Sequence, residues 1–264
     1  MPELTFGPDV GGTPERKGRP GRAKALATVL GALVLAPLTV VLGMEVPGNG
    51  YYLSGTLIVL YALVPFFASF EGRRPQAREI AVVAVLAALA VVARAAFVWV
   101  PHFKPMAAII MIAGIAAGPQ VGFLVGSTAA LASNFIFGQG PWTPWQMLAF
   151  GLVGLIAGLL ADARLFPRAN LTWPRRIALA IAGFVLIVGL AGPLLDTSTF
   201  FYLSTAPTFE LAAAVYLAGL PVNAAHGAAV AATLLLAANP LLDQLDRLRA
   251  KYGLLDRDCA PHRN

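Results

Sequence analysis

The 264-residue chain has little charge, one cysteine and three histidines, and each scarcity removes a class of function. Asp, Glu, Lys and Arg make up 12% of the residues, where a soluble domain carries about a quarter. The 58% of hydrophobic residues fall instead in long uninterrupted runs, the mark of a polytopic membrane protein. The single Cys259 lies in a polar C-terminal stretch, so a disulfide framework and a cysteine metal centre are both excluded. His102, His226 and His262 are too few and too scattered for a metal hydrolase. No G-x-x-x-x-G-K-S/T stretch occurs, so the chain has no phosphate-cradling loop with which to hydrolyse ATP. H-E-x-x-H, G-x-S-x-G and aspartate runs that would hold magnesium on a diphosphate are also missing. What is left is shape, aromatics and a few amides, which is the chemistry of binding and not of bond breaking.

The net charge of +6 does not point to nucleic acid, because the basic residues flank the apolar runs as topology determinants do. Residues 1–24 form a Gly- and Pro-rich basic tail, expected to be disordered. Apolar runs then follow at Ala25–Gly43, Tyr52–Phe70, Ile80–Val100, Pro105–Gly118, Val121–Phe137, Pro144–Ala161, Ile177–Leu195 and Phe209–Ala238. Asp196–Pro207 reads as a polar, aromatic loop. Pro221 is expected to kink or split the last run, and Asn239-Pro240 to end it. With the N-terminus in the cytoplasm, alternation across eight spans puts all of the 19 basic residues except Arg94 and Lys104 on the inner side. The expected fold is therefore an all-α bundle with both termini inside. Beyond it, Leu241, Leu242, Leu245 and Leu248 share a helical face, and Asp243, Asp246, Arg247 and Arg249 lie elsewhere. That segment reads as an amphipathic helix on the inner membrane surface or against a partner.

The most informative stretch runs from Ser133 to Gln146, where two apolar runs meet at a turn rich in Gly, Pro and Trp. Thr143, Pro144 and Gln146 have the spacing of a capping box with proline at the first helical position. The turn is either a plain hairpin with interfacial Trp142 and Trp145 or the lining of a ligand site, with Asn134 and Gln139 flanking it. Arg94 sits about 9 Å below the outer end of its span. Asp196 and Glu210 are its candidate ion-pair partners. Asn223 and His226 share a face just after Pro221 and read as a polar pair between helices or a ligand contact. Ala84 and Ala88, Gly114 and Gly118, Gly122 and Gly126, and Gly154 and Gly158 are small-xxx-small pairs that let helix backbones approach closely. For the glycines the expected use is packing within the bundle. For Ala84 and Ala88, docking on a second membrane protein is an alternative to packing within the bundle.

Three stretches together resemble one family. They are Phe103-Lys104-Pro105, the small-residue run around Gly114 that ends at Gly118-Pro119, and Ser133-Asn134-Phe135 with Gly138-Gln139-Gly140-Pro141-Trp142-Thr143-Pro144-Trp145-Gln146-Met147. They are similar to the substrate-specific S components of energy-coupling factor (ECF) vitamin transporters, over residues 78–240. The resemblance implies a six-helix substrate-binding domain there, preceded by two extra helices within 25–70 and followed by a cytoplasmic helix and tail at 241–264. It implies capture of a vitamin, with cobalamin or a related corrinoid the nearest branch. Delivery would follow docking on a membrane-embedded coupling protein, the T component, driven by two ABC-type ATPases. The chain itself needs no cofactor on this reading, and ATP is used by the partners. Ala84 and Ala88 match the family's docking motif. The ligand pocket would come from the outer loops and helix ends: Phe103, Lys104, Asn134, Phe137, Gln139, Trp142, Trp145, Gln146, Asp196, Tyr202, Glu210, Asn223 and His226.

Two other classes compete. A membrane enzyme acting on a lipid-like substrate would use Arg94, Lys104, Asp196, Glu210 and His226, and would turn over without nucleotide. A non-catalytic scaffold would bind no small molecule.

Overall fold

The computed structural model describes residues 77–203 except 169, residues 208–252, and the isolated helical positions Gly31, Val34, Leu35, Leu38, Thr39, Leu42, Leu57 and Leu60. Apart from those positions, the tail 1–24 and the two N-terminal spans lie outside the described residues. Among the described residues there are helices and turns but no strand. In chain order the helices are α1 (Ala77–Ala96), α2 (Met106–Ala117), α3 (Pro119–Phe137), α4 (Thr143–Asp162), α5 (Trp173–Leu186), α6 (Gly192–Leu203) and α7 (Phe209–Tyr252). A π turn, Ile187–Ala191, joins α5 to α6 in one continuous rod.

Five of these rods are long and apolar enough to cross a membrane: α1, α3, α4, the joined α5–α6 and α7. The expected span at Pro105–Gly118 is different. Helix α2 has 12 residues, so at 1.5 Å per residue it rises about 18 Å, short of the ~30 Å hydrocarbon layer. Every one of its residues is buried. A helix that is apolar all round is stable only when protein encloses it, and α2 is the central post of the bundle.

Glycine sets how closely the posts stand. A Cβ on Gly154 would collide with the carbonyl oxygen of Gly122, and one on Gly122 would collide with that of Gly154. The backbones of α3 and α4 therefore touch, as the small-residue spacing predicts. The Ser127 hydroxyl adds a 2.9 Å bond to the Met147 carbonyl across the same seam.

Three expectations are corrected. The stretch Asp196–Leu203 is helical and not a loop. Its hydroxyls bond back within the helix, Thr197 to Pro193 O at 2.7 Å and Thr199 to Leu195 O at 3.2 Å, so the polar run does not break it. The π turn just before Pro193 has a local cause: proline has no N–H to give the Gly189 carbonyl, and the wider turn re-pairs the chain through Gly192 N–H to Ile187 O. Second, α7 runs unbroken through Pro221 and Pro240 to Tyr252. Third, the leucine face after Pro240 belongs to this same helix. Leu242 is fully buried, and Leu241 and Leu245 pack on the bundle's own core.

Candidate ligand-binding site

The turn between α3 and α4 is built around one amide. Asn134 is buried, in the last turn of α3. Its Nδ2 donates to Thr143 Oγ1 at 2.9 Å and to Gln146 Oε1 at 2.8 Å, and its Oδ1 accepts from Arg94 Nη1 at 3.3 Å. Both amide protons and the oxygen are thus satisfied inside the protein. Thr143 Oγ1 in turn donates to Gln139 Oε1 at 2.9 Å and accepts from the Gly140 amide at 3.3 Å. The capping box is therefore not formed. Trp142 occupies the N-cap position, no side chain caps α4, and both capping-type side chains are drawn sideways to Asn134.

Arg94 finds no carboxylate partner among the described residues. Its Nη1 donates to Ser133 Oγ at 2.5 Å, and its guanidinium lies 4.5 Å from the Phe137 ring centroid. A neutral hydroxyl, an amide and an aromatic face hold the charge where Asp196 and Glu210 were expected to. Asp196 instead accepts from Asn223 Nδ2 at 2.7 Å, tying α6 to α7. Gly192 and Gly219 leave the room that this pair occupies, since a Cβ at either would strike the Asn223 or Asp196 side chain. Two helical turns along α7 toward its start, Tyr216 Oη meets Thr197 Oγ1 at 2.6 Å. Asn223 and His226 thus share a face but not a bond. His226 lies against the Phe150 ring at 6.2 Å, and its Nε2 has no partner among the described residues.

Aromatic pairs span the gap between α4 and α6. Trp145, fully buried, stacks on Phe201 at 6.3 Å, with its indole N–H unpaired among the described residues. Trp142 meets Tyr202 edge-on at 6.2 Å, and both are exposed. Phe103 packs on Phe97 at 4.8 Å in the turn between α1 and α2. Partial burial, and then the neighbouring Arg94 charge, hold the Lys104 ammonium below its usual pKa. Glu210 is exposed in the first turn of α7.

Six of the thirteen expected pocket residues fall into two connected groups, and Phe103, Lys104, Glu210 and His226 belong to neither. Asn134, Phe137, Gln139 and Gln146 join the Arg94 network, and Asp196 and Asn223 join α6 to α7; Trp142, Trp145 and Tyr202 lie between the two. Ser133, Thr143, Thr197 and Tyr216 belong to the same groups and were not singled out as site residues. The signal available for them was only that hydroxyls inside a span must find partners. Among the described residues no three His, Cys, Asp or Glu side chains converge on a point that would hold a metal ion.

Asn134→Ala tests this framework. Removing the amide leaves Arg94, Thr143 and Gln146 each short of a partner, at a cost of about 2–3 kcal/mol. The thermal unfolding midpoint of the purified chain is expected to fall by several degrees. An unchanged midpoint would take Asn134 out of the framework role.

A family model described as "ECF-type riboflavin transporter, S component" matches residues 75–243. A UPF0397 protein of Vibrio atlanticus (strain LGP32) is 32% identical over 120 residues, covering 44% of this chain and 62% of the relative. UPF0397 proteins of Aliivibrio fischeri (strain MJ11) and Aliivibrio salmonicida (strain LFI1238) are each 34% identical over 88 residues, 31% of this chain and 48% of theirs. The chain thus matches about half to three fifths of the length of these curated relatives. No solved structure matches it. The family model takes in all the spanning rods from α1 into α7, together with the Asn134 network and the aromatic pairs between α4 and α6, and on that extent the chain belongs to the family of membrane-embedded S components of ECF-type transporters.

Proposed function

We propose that this chain captures a vitamin with a flat conjugated ring at the end of the bundle where Lys104, Trp142 and Tyr202 lie. It then hands the vitamin to a T component driven by two ABC-type ATPases. The observation that carries this reading is the division of labour at the site. Buried Asn134 and Trp145 form a fixed frame, and the exposed edge-on pair Trp142 and Tyr202 presents aromatic surface above it. Rigid rings give a planar ligand large contact area at little entropy cost. Lys104, Gln139 and Glu210 at the rim supply polar selectivity.

A flavin is the first candidate, because the family model's description names riboflavin. A corrinoid is the second. The motif resemblance leads to it, and the exposed aromatic mouth would suit so broad a ligand. The membrane arrangement proposed has both termini cytoplasmic, with seven spanning rods and the short α2 carrying the chain back inside the bundle between α1 and α3, since Arg164, Arg168, Arg175 and Arg176 lie at the end opposite this mouth.

The test is the visible absorption spectrum of the purified chain after incubation with riboflavin or with cobalamin and removal of free ligand. Flavin bands retained at about one per chain are expected, with thermal stabilisation of roughly 2.7 kcal/mol at a hundredfold excess over Kd. Corrinoid bands instead would select the second candidate. A protein that retains neither, and that no vitamin in a panel stabilises, would remove the capture function.

A further inference from the structure

The loop between α4 and α5, opposite the proposed vitamin site, and the adjoining helix ends line an open cavity of about 400 Å³, within the size range of small-molecule sites. Its lining combines Arg164, Arg168 and Arg175 with one acid, Asp162, and the apolar Phe166 and Pro167. Asp162 is committed, since its Oδ1 accepts from Arg168 Nη2 at 3.0 Å. Among the described residues neither Arg164 nor Arg175 has a carboxylate partner. The cavity therefore keeps a surplus of two guanidinium groups.

The loop is also held in shape. Asn239 of α7 bonds the Leu171 backbone twice, accepting from its amide at 3.1 Å and donating to its carbonyl at 2.9 Å. Asp243 accepts from the Asn170 amide at 3.2 Å. Two arginines on one cavity, Arg164 in the loop and Arg175 in the first turn of α5, suit a phosphate, which accepts two parallel N–H bonds from each planar guanidinium.

The apolar neighbours indicate where that phosphate comes from. Leu165, next in sequence to the lining residues Arg164 and Phe166, and Trp173, the first residue of α5, are 57% and 60% exposed. The Trp173 ring lies 5.1 Å from the Arg176 guanidinium. Exposed Leu and Trp beside arginines are what the boundary between headgroups and acyl chains selects. We propose that this cavity binds the phosphate of an anionic phospholipid, with Arg164 and Arg175 as its ligands and Leu165 and Trp173 against the acyl chains.

The test compares the full-length wild-type chain with Arg164→Gln/Arg175→Gln, delipidated in detergent and titrated with phosphatidylglycerol, phosphatidylcholine or inorganic phosphate. Phosphatidylglycerol is expected to raise the unfolding midpoint of the wild type, and phosphatidylcholine to do so far less. Each arginine is expected to contribute about fivefold in lipid affinity, so the double variant should bind phosphatidylglycerol about 25-fold more weakly. Its midpoint without lipid should match the wild type, because both side chains are exposed; Arg175→Gln alone, at about fivefold, provides the same reading should the double variant be less stable. Equal stabilisation by the two lipids, or undiminished phosphatidylglycerol binding by the variants, would overturn the proposal. Inorganic phosphate matching the lipid's effect would also overturn it, assigning the arginines to a soluble phosphate instead.

Discussion

Gly154→Leu is expected to abolish recovery of monodisperse protein after detergent extraction. The cause is backbone against backbone. The Cβ of any residue at 154 would enter the space of the Gly122 carbonyl oxygen, and a leucine would also meet the Ile110 side chain of the buried α2. A flexible side chain gives way cheaply, but a carbonyl in the middle of a helix does not. The α3–α4 seam would have to open along its length, and α2 would lose its enclosure. In lipid no hydrophobic gain compensates for lost helix contact. The penalty should exceed the ~1–3 kcal/mol of ordinary overpacking and consume much of the ~5–15 kcal/mol that holds a domain together. Gly189→Ala is the control. A Cβ there has nothing within 4 Å, so this variant should elute as the wild type does. If Gly154→Leu also elutes as a single peak with an unchanged unfolding midpoint, the close approach of α3 and α4 is wrong.

Much of this bundle was legible in the sequence, because membrane helices announce themselves by length and apolarity, and their seams by paired small residues. The rods at Ile80, Val121, Pro144, Ile177 and Phe209 begin within a few residues of the helices found, and Gly122 and Gly154 do meet. The errors fall where one residue type serves two purposes. Thr143 and Gln146 have capping chemistry, yet a buried amide from the neighbouring helix competed for both and won. The run Asp196-Thr197-Ser198-Thr199 looks like a loop by polarity. Within the bundle the Thr197 and Thr199 hydroxyls are satisfied by carbonyls of the preceding turn, and the acid by Asn223. Pro221 and Pro240 would end a helix in water, but packing against the bundle carries α7 through both. Arg94 was matched to acids by charge. Charge says nothing of which side chains a helix crossing brings near, and it brought Ser133, Asn134 and Phe137. The partners of the candidate site residues are set by contacts between helices, which have no local signature.

Ala84→Trp and Ala88→Trp are expected to stop vitamin uptake in cells that carry the coupling module while leaving vitamin binding by the purified chain intact. Helix α1 divides cleanly around its circumference. Leu86, Ala87, Ala90 and Val91 face the core, whereas Ala84, Val85, Ala88, Leu89 and Val92 are exposed. Two alanines a turn apart on an otherwise bulky apolar face leave a shallow groove into which another helix can settle. An indole there fills the groove without entering the core, so the unfolding midpoint should stay within about a degree of the wild type. Forcing a partner helix outward costs the ~1–3 kcal/mol typical of overpacking, which corresponds to about a 5- to 150-fold loss of docking. Uptake should fall in proportion, and the two variants together should leave none. Pull-down of the T component by the tagged chain separates the causes: it should weaken in parallel with uptake. Normal uptake by both variants would remove Ala84 and Ala88 from docking. Loss of vitamin binding along with uptake would mean that the face supports the fold of this chain and not its partner. The contrast with Asn134→Ala is what gives the pair of experiments its force, since there binding and stability fall together because the amide is internal, whereas at α1 only the step that needs a second protein should fail.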